Sequence, residues 1–262
     1  MSVTVRPVGD LLREWRQRRR LSQLELSLEA EISTRHLSFL ETGRSQPSRD
    51  MVLRLAEQLD VPLRDRNLLL HAAGYAPVFP ERPLDDPALR IARQAVDQVL
   101  AGHEPYPALA VDRHWTLIAS NAATTRLIAG VDATLLRPPI NVLRLALHPS
   151  GMAPQTANLA EWRAHLLARL GHQVRVSGDP VLVRLLRELR DYPAPDEAAH
   201  DVDTAAFVVP FRLRTEAGTL AFLSTTTVFG TPVDITLSEL AVEAFYPADA
   251  ATAETLRRCI LD

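Results

Sequence analysis

The feature that most constrains the fold of this chain is a run of short helical patterns between residues 10 and 75. Serines stand where several of these patterns begin. Ser22 precedes Glu25 at the spacing of a capping box, in which the two side chains satisfy backbone N–H groups at a helix start. Ser33 and Ser48 each stand directly before a later apolar repeat. This part of the chain is therefore predicted to be all-α, with five short helices.

The third helix is predicted to begin after Ser33 and to end near Thr42, ahead of Gly43. With Leu37 and Leu40 turned inward, its other side presents polar, charged and aromatic residues. Such a helix, one tight turn after another short helix, suits the major groove of DNA. The sequence thus predicts a partner, a double-stranded DNA operator, and the following DNA-binding residues: Gln23, Ser33, Thr34, Arg35, His36, Ser38, Phe39, Thr42 and Arg44.

These residues suit different contacts. Arg35 suits a bidentate hydrogen bond to guanine, whereas Gln23 and Arg44 suit phosphate contacts. Two alternatives stay open: Phe39 either meets a thymine methyl group or packs under the following loop, and arginines 18–20 either neutralise phosphates or form a solvated helix end. The formal net charge of −3 argues against indiscriminate nucleic-acid binding by the whole chain.

A proline-rich segment separates the helical region from a second region with a different pattern. Four prolines lie within residues 76–87, which favours a semi-rigid connection. We therefore expect an all-α helix-turn-helix domain over residues 1–78 and an α+β domain over residues 79–262. In the second domain, turns at residues 112–114 and 215–218 each predict a pair of antiparallel strands. The segment LSELAVEAF, residues 237–245, is predicted to be a helix.

The helical region resembles a known family. The segment LREWRQRRRLSQLELSLEAEISTRHLSFLETGRSQPS is similar to the helix-turn-helix of the xenobiotic-response-element family, related to the lambda-repressor and Cro domains. The resemblance is carried by the LSQ motif, by the start of the recognition helix and by an E-x-G-x-x-x-P motif, that is by Leu21, Ser22, Gln23, Ser33, Glu41, Gly43, Arg44 and Pro47.

The second domain resembles the ligand-binding domain of MmyB-like transcription regulators. The similar segments are LAVDRHWTLIASNAAT, NLAEWRAHLL and FGTPVDITLSELAVEAFYPAD. The resemblance implies a PAS-like sensor fold and a lipid-like ligand, with a fatty acid as the expected chemistry. It also implies a transcription regulator that pairs such a sensor with a DNA-binding domain.

A PAS-like sheet wraps one face around a small-molecule cavity, so its inward residues are expected to line that cavity. Arg113 and Arg144 are candidates to hold a carboxylate head group, with a surface charge as the alternative for each. Ordinary core packing is likewise the alternative for each candidate lining residue. The predicted ligand-binding residues are Trp115, Leu117, Asn121, Leu143, Trp162, Phe222 and Ser224, of which Asn121 is the predicted polar group.

The sequence favours a cytoplasmic protein that is not an enzyme. It has one cysteine, Cys259, no signal-peptide pattern and no apolar stretch of about 18 residues. It lacks a G-x-S-x-G elbow and a glycine-rich phosphate loop, and Ser150 has no assigned base. A metal site at His200, Asp201 and Asp203 has little support, and we expect no metal and no cofactor beyond a bound lipid.

One reading helix covers too few base pairs for selectivity, so we expect a homodimer. Two other functions stay open. The C-terminal domain is either a sensor or only a protein-interaction and dimerisation module, and the chain could instead be an enzyme that carries a DNA-binding domain. For Asp234, which follows a proline turn, capping is the simpler role than catalysis.

Overall fold

The computed structural model describes residues 6–193, 209–230 and 232–258. The chain forms two compact units. The first contains the chain up to Arg82 together with Arg175–Ser177 and the described part of Thr231–Ser238, and the second contains the remainder. The division after Arg82 falls inside the proline-rich segment. None of the described helices is long and apolar enough to span a bilayer.

Among the described residues up to Arg82, the structure has the five helices that the sequence predicts. The hydroxyl of Ser22 accepts a hydrogen bond from the backbone N–H of Glu25, whose carboxylate accepts one from the N–H of Ser22, which confirms the capping box. The hydroxyls of Ser33 and Ser48 each accept one backbone N–H hydrogen bond at the start of the next two helices, without a reciprocal carboxylate. The helices are α1 Val8–Arg18, α2 Gln23–Glu29, α3 Thr34–Glu41, α4 Arg49–Gln58 and α5 Leu63–Ala72.

A buried ion pair joins α1 to the end of α3. Arg16 donates from Nε to Glu41 Oε1 at 2.6 Å and from Nη2 to Oε2 at 2.9 Å. Its Nη1 donates to the backbone oxygen of Leu21, and the amide of Gln23 donates to Glu41 Oε2 at 2.8 Å. A Cβ atom on Gly9 would lie 2.4 Å from the backbone oxygen of Leu40, so α1 and α3 approach closely at this point. The pair and the close approach together set the position of α3.

Within the described residues, the second unit is built on a five-stranded antiparallel sheet with the strand order β2-β1-β5-β4-β3. The hairpins β1–β2 and β3–β4 confirm the two predicted strand pairs. The strands are β1 Ala108–Val111, β2 Leu117–Ser120, β3 Phe211–Thr215, β4 Gly218–Val228 and β5 Ala241–Pro247. The later helices are α6 Arg90–Gly102, α7 Ala122–Leu127, α8 Val142–Leu147, α9 Leu159–Ser177, α10 Pro180–Arg190, α11 Ile235–Ser238 and α12 Ala250–Arg258.

The two faces of the sheet pack against different helices. On one face, Val96 and Leu100 of α6 pack against small or β-branched strand residues such as Ala110 and Val242. The other face belongs to a larger cluster with residues of α8, α9 and α10. Side chains of a strand alternate between faces, so each strand contributes to both layers. The second face is the one that holds the cavity described below.

The predicted helix over residues 237–245 is wrong. The single turn α11 ends at Ser238, and the following residues form β5, which pairs with β1 on one side and β4 on the other. An apolar run that is buried on both faces fits the repeat of a helix and the repeat of a strand equally well. This run is a strand because its backbone forms hydrogen bonds with the two neighbouring strands.

Candidate DNA interface and apolar ligand cavity

Helix α3 presents a polar face away from the core. The hydroxyl of Ser33 accepts a hydrogen bond from the N–H of His36 at 3.1 Å, which starts the helix. Leu37 and Leu40 are buried with at most 1% of their surface exposed, and Arg35 is exposed. The spacing therefore separates an inward apolar side from an outward side that carries hydrogen-bond donors.

The exposed end of this face is cationic. The guanidinium carbon of Arg35 lies 5.3 Å from the centre of the Phe39 ring, and that of Arg44 lies 5.8 Å from it. Phe39 is partly buried, while Arg44 and Thr42 are exposed. Two guanidinium groups thus lie against the Phe39 ring. The ring is therefore better suited to positioning Arg35 and Arg44 than to contacting a thymine methyl group.

Hydrogen bonds within the domain hold several other predicted DNA-binding residues. The Thr34 and Ser27 hydroxyls lie 3.0 Å apart, and the Thr42 hydroxyl donates to the backbone oxygen of Ser38 at 2.7 Å. The Gln23 side chain is bonded to Glu41, as described above. A phosphate contact by Gln23 would have to share or replace that bond. The side chains of His36 and Ser38 are partly exposed.

The second unit contains a cavity between the curled sheet and the helices on its second face. Its volume is about 100 Å³, several times the roughly 10–15 Å³ that one water molecule needs. Sixteen of the twenty described residues around it are apolar. Six of the seven residues predicted to bind a ligand lie in this wall, namely Trp115, Leu117, Leu143, Trp162, Phe222 and Ser224. Their ligand contacts stay a prediction.

The cavity wall includes a partly buried ion pair that the sequence reasoning missed. Arg169 of α9 donates to Glu243 of β5 from Nη1 at 2.9 Å and from Nη2 at 2.6 Å. Thr226 of β4 accepts from Arg169 at 2.7 Å, and the Thr226 and Glu243 oxygens lie 3.0 Å apart. The side chain of Glu243 is only 5% exposed. A glutamate inside the apolar segment AVEAFYP was the available signal, since a buried carboxylate requires a partner.

Comparison with protein families gives two matches. Residues 92–258 match the model of the MmyB-like transcription regulator ligand binding domain, and residues 12–65 match a helix-turn-helix model. The chain belongs to the MmyB-like transcription regulators. No curated protein matches it in sequence. The two matches confirm both resemblances and make the chain a DNA-binding transcription regulator with a C-terminal ligand-binding domain.

In this MmyB-like regulator, Asn121 lies outside the cavity wall. It caps α7, where its Oδ1 accepts from the backbone N–H and the hydroxyl of Thr124, and from the N–H of Ala108 at 3.0 Å. Its Nδ2 donates to the backbone oxygens of Tyr106 and Leu100. The Asn121 amide is thus committed to backbone groups, so we do not keep it among the proposed ligand contacts.

Two tryptophans form part of the wall of the ligand-binding domain. Trp115 has a left-handed backbone with φ of 66°, and its indole N–H donates to Gln173 Oε1 at 2.7 Å. The guanidinium carbon of Arg169 lies 4.6 Å from the centre of the Trp115 ring. Trp162 stacks on His165, with ring centres 5.3 Å apart. Burial, and secondly the charge of Arg169, hold the pKa of His165 below its usual value, so its neutral form is favoured next to the wall.

The two arginines considered for a carboxylate head group lie elsewhere in the regulator. Arg144 makes a bidentate contact with Glu188, from Nε at 2.7 Å and from Nη2 at 2.8 Å. Arg113 lies 3.5 Å from Asp179 and 3.7 Å from Glu239. Neither arginine lies in the cavity wall. Both are therefore explained as partners of acidic side chains.

The residues considered for catalysis do not assemble into a site in the described part of this regulator. His200, Asp201 and Asp203 lie outside the described residues. Asp234 is buried, contacts Arg82 at 3.1 Å and accepts a hydrogen bond from the N–H of Thr236, as expected of a capping residue. Among the described residues there is no group of three or more His, Cys, Asp or Glu side chains that could hold a metal ion.

Proposed function

We propose that the chain is a sequence-specific regulator in which α3 reads the major groove of an operator. The support is the geometry of α3, with Leu37 and Leu40 buried on one side and Arg35 exposed on the other. Arg35 is the residue to which we assign a bidentate contact with guanine. Arg44 supplies a phosphate contact at the end of the same face. His36 and Ser38 complete the set of side chains directed toward base edges.

Recognition by a homodimer follows from the same geometry. A helix of eight residues covers only a few base pairs, whereas two copies related by a two-fold axis read two half-sites about 34–36 Å apart. The operator of this regulator is therefore expected to be a near-palindrome. Because the net charge of the whole chain is −3, the electrostatic affinity for DNA must come from the arginines on and near α3. Binding should therefore weaken as the salt concentration rises.

The C-terminal domain acts in this proposal as a PAS-like sensor of an apolar ligand with a fatty-acyl chain. The observation that carries it is the cavity, which is lined almost entirely by apolar and aromatic side chains on one face of the sheet. A domain that served only for protein interaction or dimerisation has no need of such a cavity. The polar lining residues are few, namely Thr124, Arg169, Ser224 and Glu243, as is typical of sites that orient a small molecule.

The proposed mechanism is linkage between ligand binding and DNA binding. A ligand that binds more tightly to one of two conformations shifts the population toward it, and only a difference in affinity between the two can do so. If the DNA-competent conformation is the one disfavoured by ligand, then DNA must by reciprocity weaken ligand binding by the same factor. This reciprocity gives the mechanism a direct thermodynamic check.

Native mass spectrometry of the purified full-length chain, followed by organic extraction, tests the sensor. We expect a stoichiometric molecule with an alkyl or acyl chain, or its uptake when such molecules are added to stripped protein. Operator binding by gel shift, with and without that molecule, then tests the linkage. A protein that carries nothing and takes up no acyl compound would remove the sensor assignment and favour a protein-interaction module.

Substitution Arg35→Ala tests the reading helix. We expect the base preference at one operator position to relax, with a loss of about 1–3 kcal/mol of discrimination. The matched control is Arg54→Ala, which removes the same charge from an exposed position on α4. Selection from a random DNA library measures both profiles. An Arg35→Ala profile that equals the wild-type profile would refute the assigned role.

A further inference from the structure

The charge in the cavity wall is already balanced. Among the described residues of the cavity wall, the charged ones are Arg169 and Glu243, and they are joined to each other by two hydrogen bonds of 2.9 and 2.6 Å. Thr226 accepts from the cation and lies 3.0 Å from the carboxylate, which closes a triangle of hydrogen bonds. The wall thus presents a neutral ion pair and not an open cation.

The arginine of this pair is held from more than one side. Besides its bonds to Glu243 and Thr226, its guanidinium lies over the Trp115 ring at 4.6 Å from the ring centre. These three contacts hold the guanidinium against Glu243, Thr226 and the Trp115 ring. A ligand carboxylate would have to displace Glu243 from Arg169 or lie beside it.

Either arrangement is unfavourable for an anion. Glu243 is 5% exposed, so displacing it would leave a buried carboxylate without its cation. Placing a second carboxylate beside it would bring two like charges together in a largely apolar enclosure. The neutral hydroxyl of Ser224 faces the same cavity, two residues before Thr226 on β4. It can donate or accept a hydrogen bond at no electrostatic cost.

We propose that this cavity selects apolar ligands with an uncharged, hydrogen-bonding head group, such as an alkyl alcohol, amide or ester, over a free carboxylate. This inference rests on the proposed function of the cavity as the ligand site and names the chemical class that it accepts. The Ser224 hydroxyl is the proposed partner of the head group, and the ion pair excludes anions. The apolar wall takes the chain and supplies affinity without setting the head group.

Ligands that share one chain and differ only in the head group test this selectivity. Stripped full-length protein is titrated by calorimetry with dodecanol, methyl dodecanoate and dodecanoate at about pH 8, where a carboxylic acid is ionised. We expect both neutral compounds to bind at least about tenfold more tightly than dodecanoate. Equal affinities, or tighter binding of dodecanoate, would overturn the inference. If none of the three binds, the proposed ligand function itself fails, which is a distinct outcome.

Variant Glu243→Gln removes the negative charge and leaves the cation. We expect the affinity for dodecanoate to rise at least about tenfold, while that for dodecanol changes little. The matched control is Glu188→Gln, which frees Arg144 outside the cavity and should leave every affinity unchanged. A Glu243→Gln protein that still rejects dodecanoate would contradict the role of the ion pair. Because the wild-type titrations need no variant, they decide the selectivity even if Glu243→Gln does not fold.

Discussion

Two arginine–glutamate pairs with buried glutamates lie one in each unit of this regulator and differ in what surrounds them. Arg16–Glu41 and Arg169–Glu243 each have two N–H···O bonds, and the glutamate side chains are 2% and 5% exposed. The first pair lies in a helical core, where Gln23 supplies a further bond. The second borders a cavity, and its arginine is 28% exposed.

The same arginine–glutamate pair can therefore have a different role in a packed core and beside a cavity. In a filled core, a paired charge holds elements together, because breaking it leaves a desolvated ion. At the edge of a cavity, we propose that the same pair disfavours a negatively charged ligand. Variants at matched positions in the helical domain and in the ligand-binding domain distinguish these two roles.

Removal of each glutamate gives the sharpest contrast. We expect Glu41→Ala to lower the free energy of unfolding by about 3–5 kcal/mol, because Arg16 is left buried and unpaired. Glu243→Ala should cost only about 1–2 kcal/mol, because the Arg169 side chain is 28% exposed and can stay hydrated. Urea titration of the full-length variants by circular dichroism measures both. Glu14→Ala, which removes a partly exposed carboxylate, serves as control, with at most about 1 kcal/mol expected. Equal losses for Glu41 and Glu243 would remove the distinction.

A leucine in each core tests whether one is filled and the other hollow. Leu37 is fully buried in the helical core, and Leu37→Ala should cost about 2–5 kcal/mol. Leu143 is 3% exposed but borders the cavity, so Leu143→Ala should cost about half as much, because one side of it already lacks packing partners. The measurement is again denaturant unfolding. Leu143→Ala should also weaken ligand binding, and an unchanged ligand affinity would argue against its place in the site.

The helix caps of the two units differ in how many groups they satisfy. Ser33 accepts one backbone hydrogen bond at an exposed helix start, so Ser33→Ala should cost about 1 kcal/mol. Asn121 is 7% exposed and also bonds the backbone of Ala108 and Tyr106, so Asn121→Ala should cost about 2–3 kcal/mol. Thermal unfolding ranks the two variants. A Ser33→Ala loss as large as that of Asn121→Ala would show that the extra bonds contribute nothing.

The ligand-binding domain should also be the unit whose stability is more sensitive to mild acid. Burial, followed by the charge of Arg169, lowers the pKa of His165 in the folded state, whereas in the unfolded chain it is about 6.5. Below that value the unfolded state binds a proton that the folded state resists, so stability falls as pH drops through about 6.5 toward the lower folded value. Above about pH 7.5 the effect is absent.

Thermal unfolding at several pH values measures this dependence. His165→Gln should flatten the decline in melting temperature between about pH 7 and 5. His36→Gln, on the face of α3, provides the control and should keep the wild-type slope. The explanation fails if His165→Gln retains the full decline.

Local signals in the sequence were sufficient for the first unit. The caps at Ser22, Ser33 and Ser48 were predictable because each bond joins residues three apart in the chain. Gly43 has φ of 72°, as expected of a residue that ends a helix in the left-handed region. A pattern read within one turn is enough when the interaction lies within that turn.

In the second unit, local sequence patterns were not sufficient to predict every element. The β5 segment was predicted to be a helix, because an apolar run alone does not distinguish a strand paired on both sides from a buried helix. The error concealed Glu243, which lies opposite Leu109 of β1 and Thr226 of β4. Asn121 was correctly placed after a strand, but its five hydrogen bonds depend on loops that the local pattern does not bring together.

The five N-terminal helices, the outward face of α3, the two strand pairs and the family could all be predicted from the order of the residues. They depend on hydrogen bonds, apolar spacing and motifs within short segments, which can be recognised in the sequence directly. The position of β5, the wall of the cavity and the pairing of Arg169 with Glu243, which are 74 residues apart, could be found only from the folded structure. Such a pair forms because β5 takes its place between β1 and β4, and that choice depends on the backbone hydrogen bonds of distant segments.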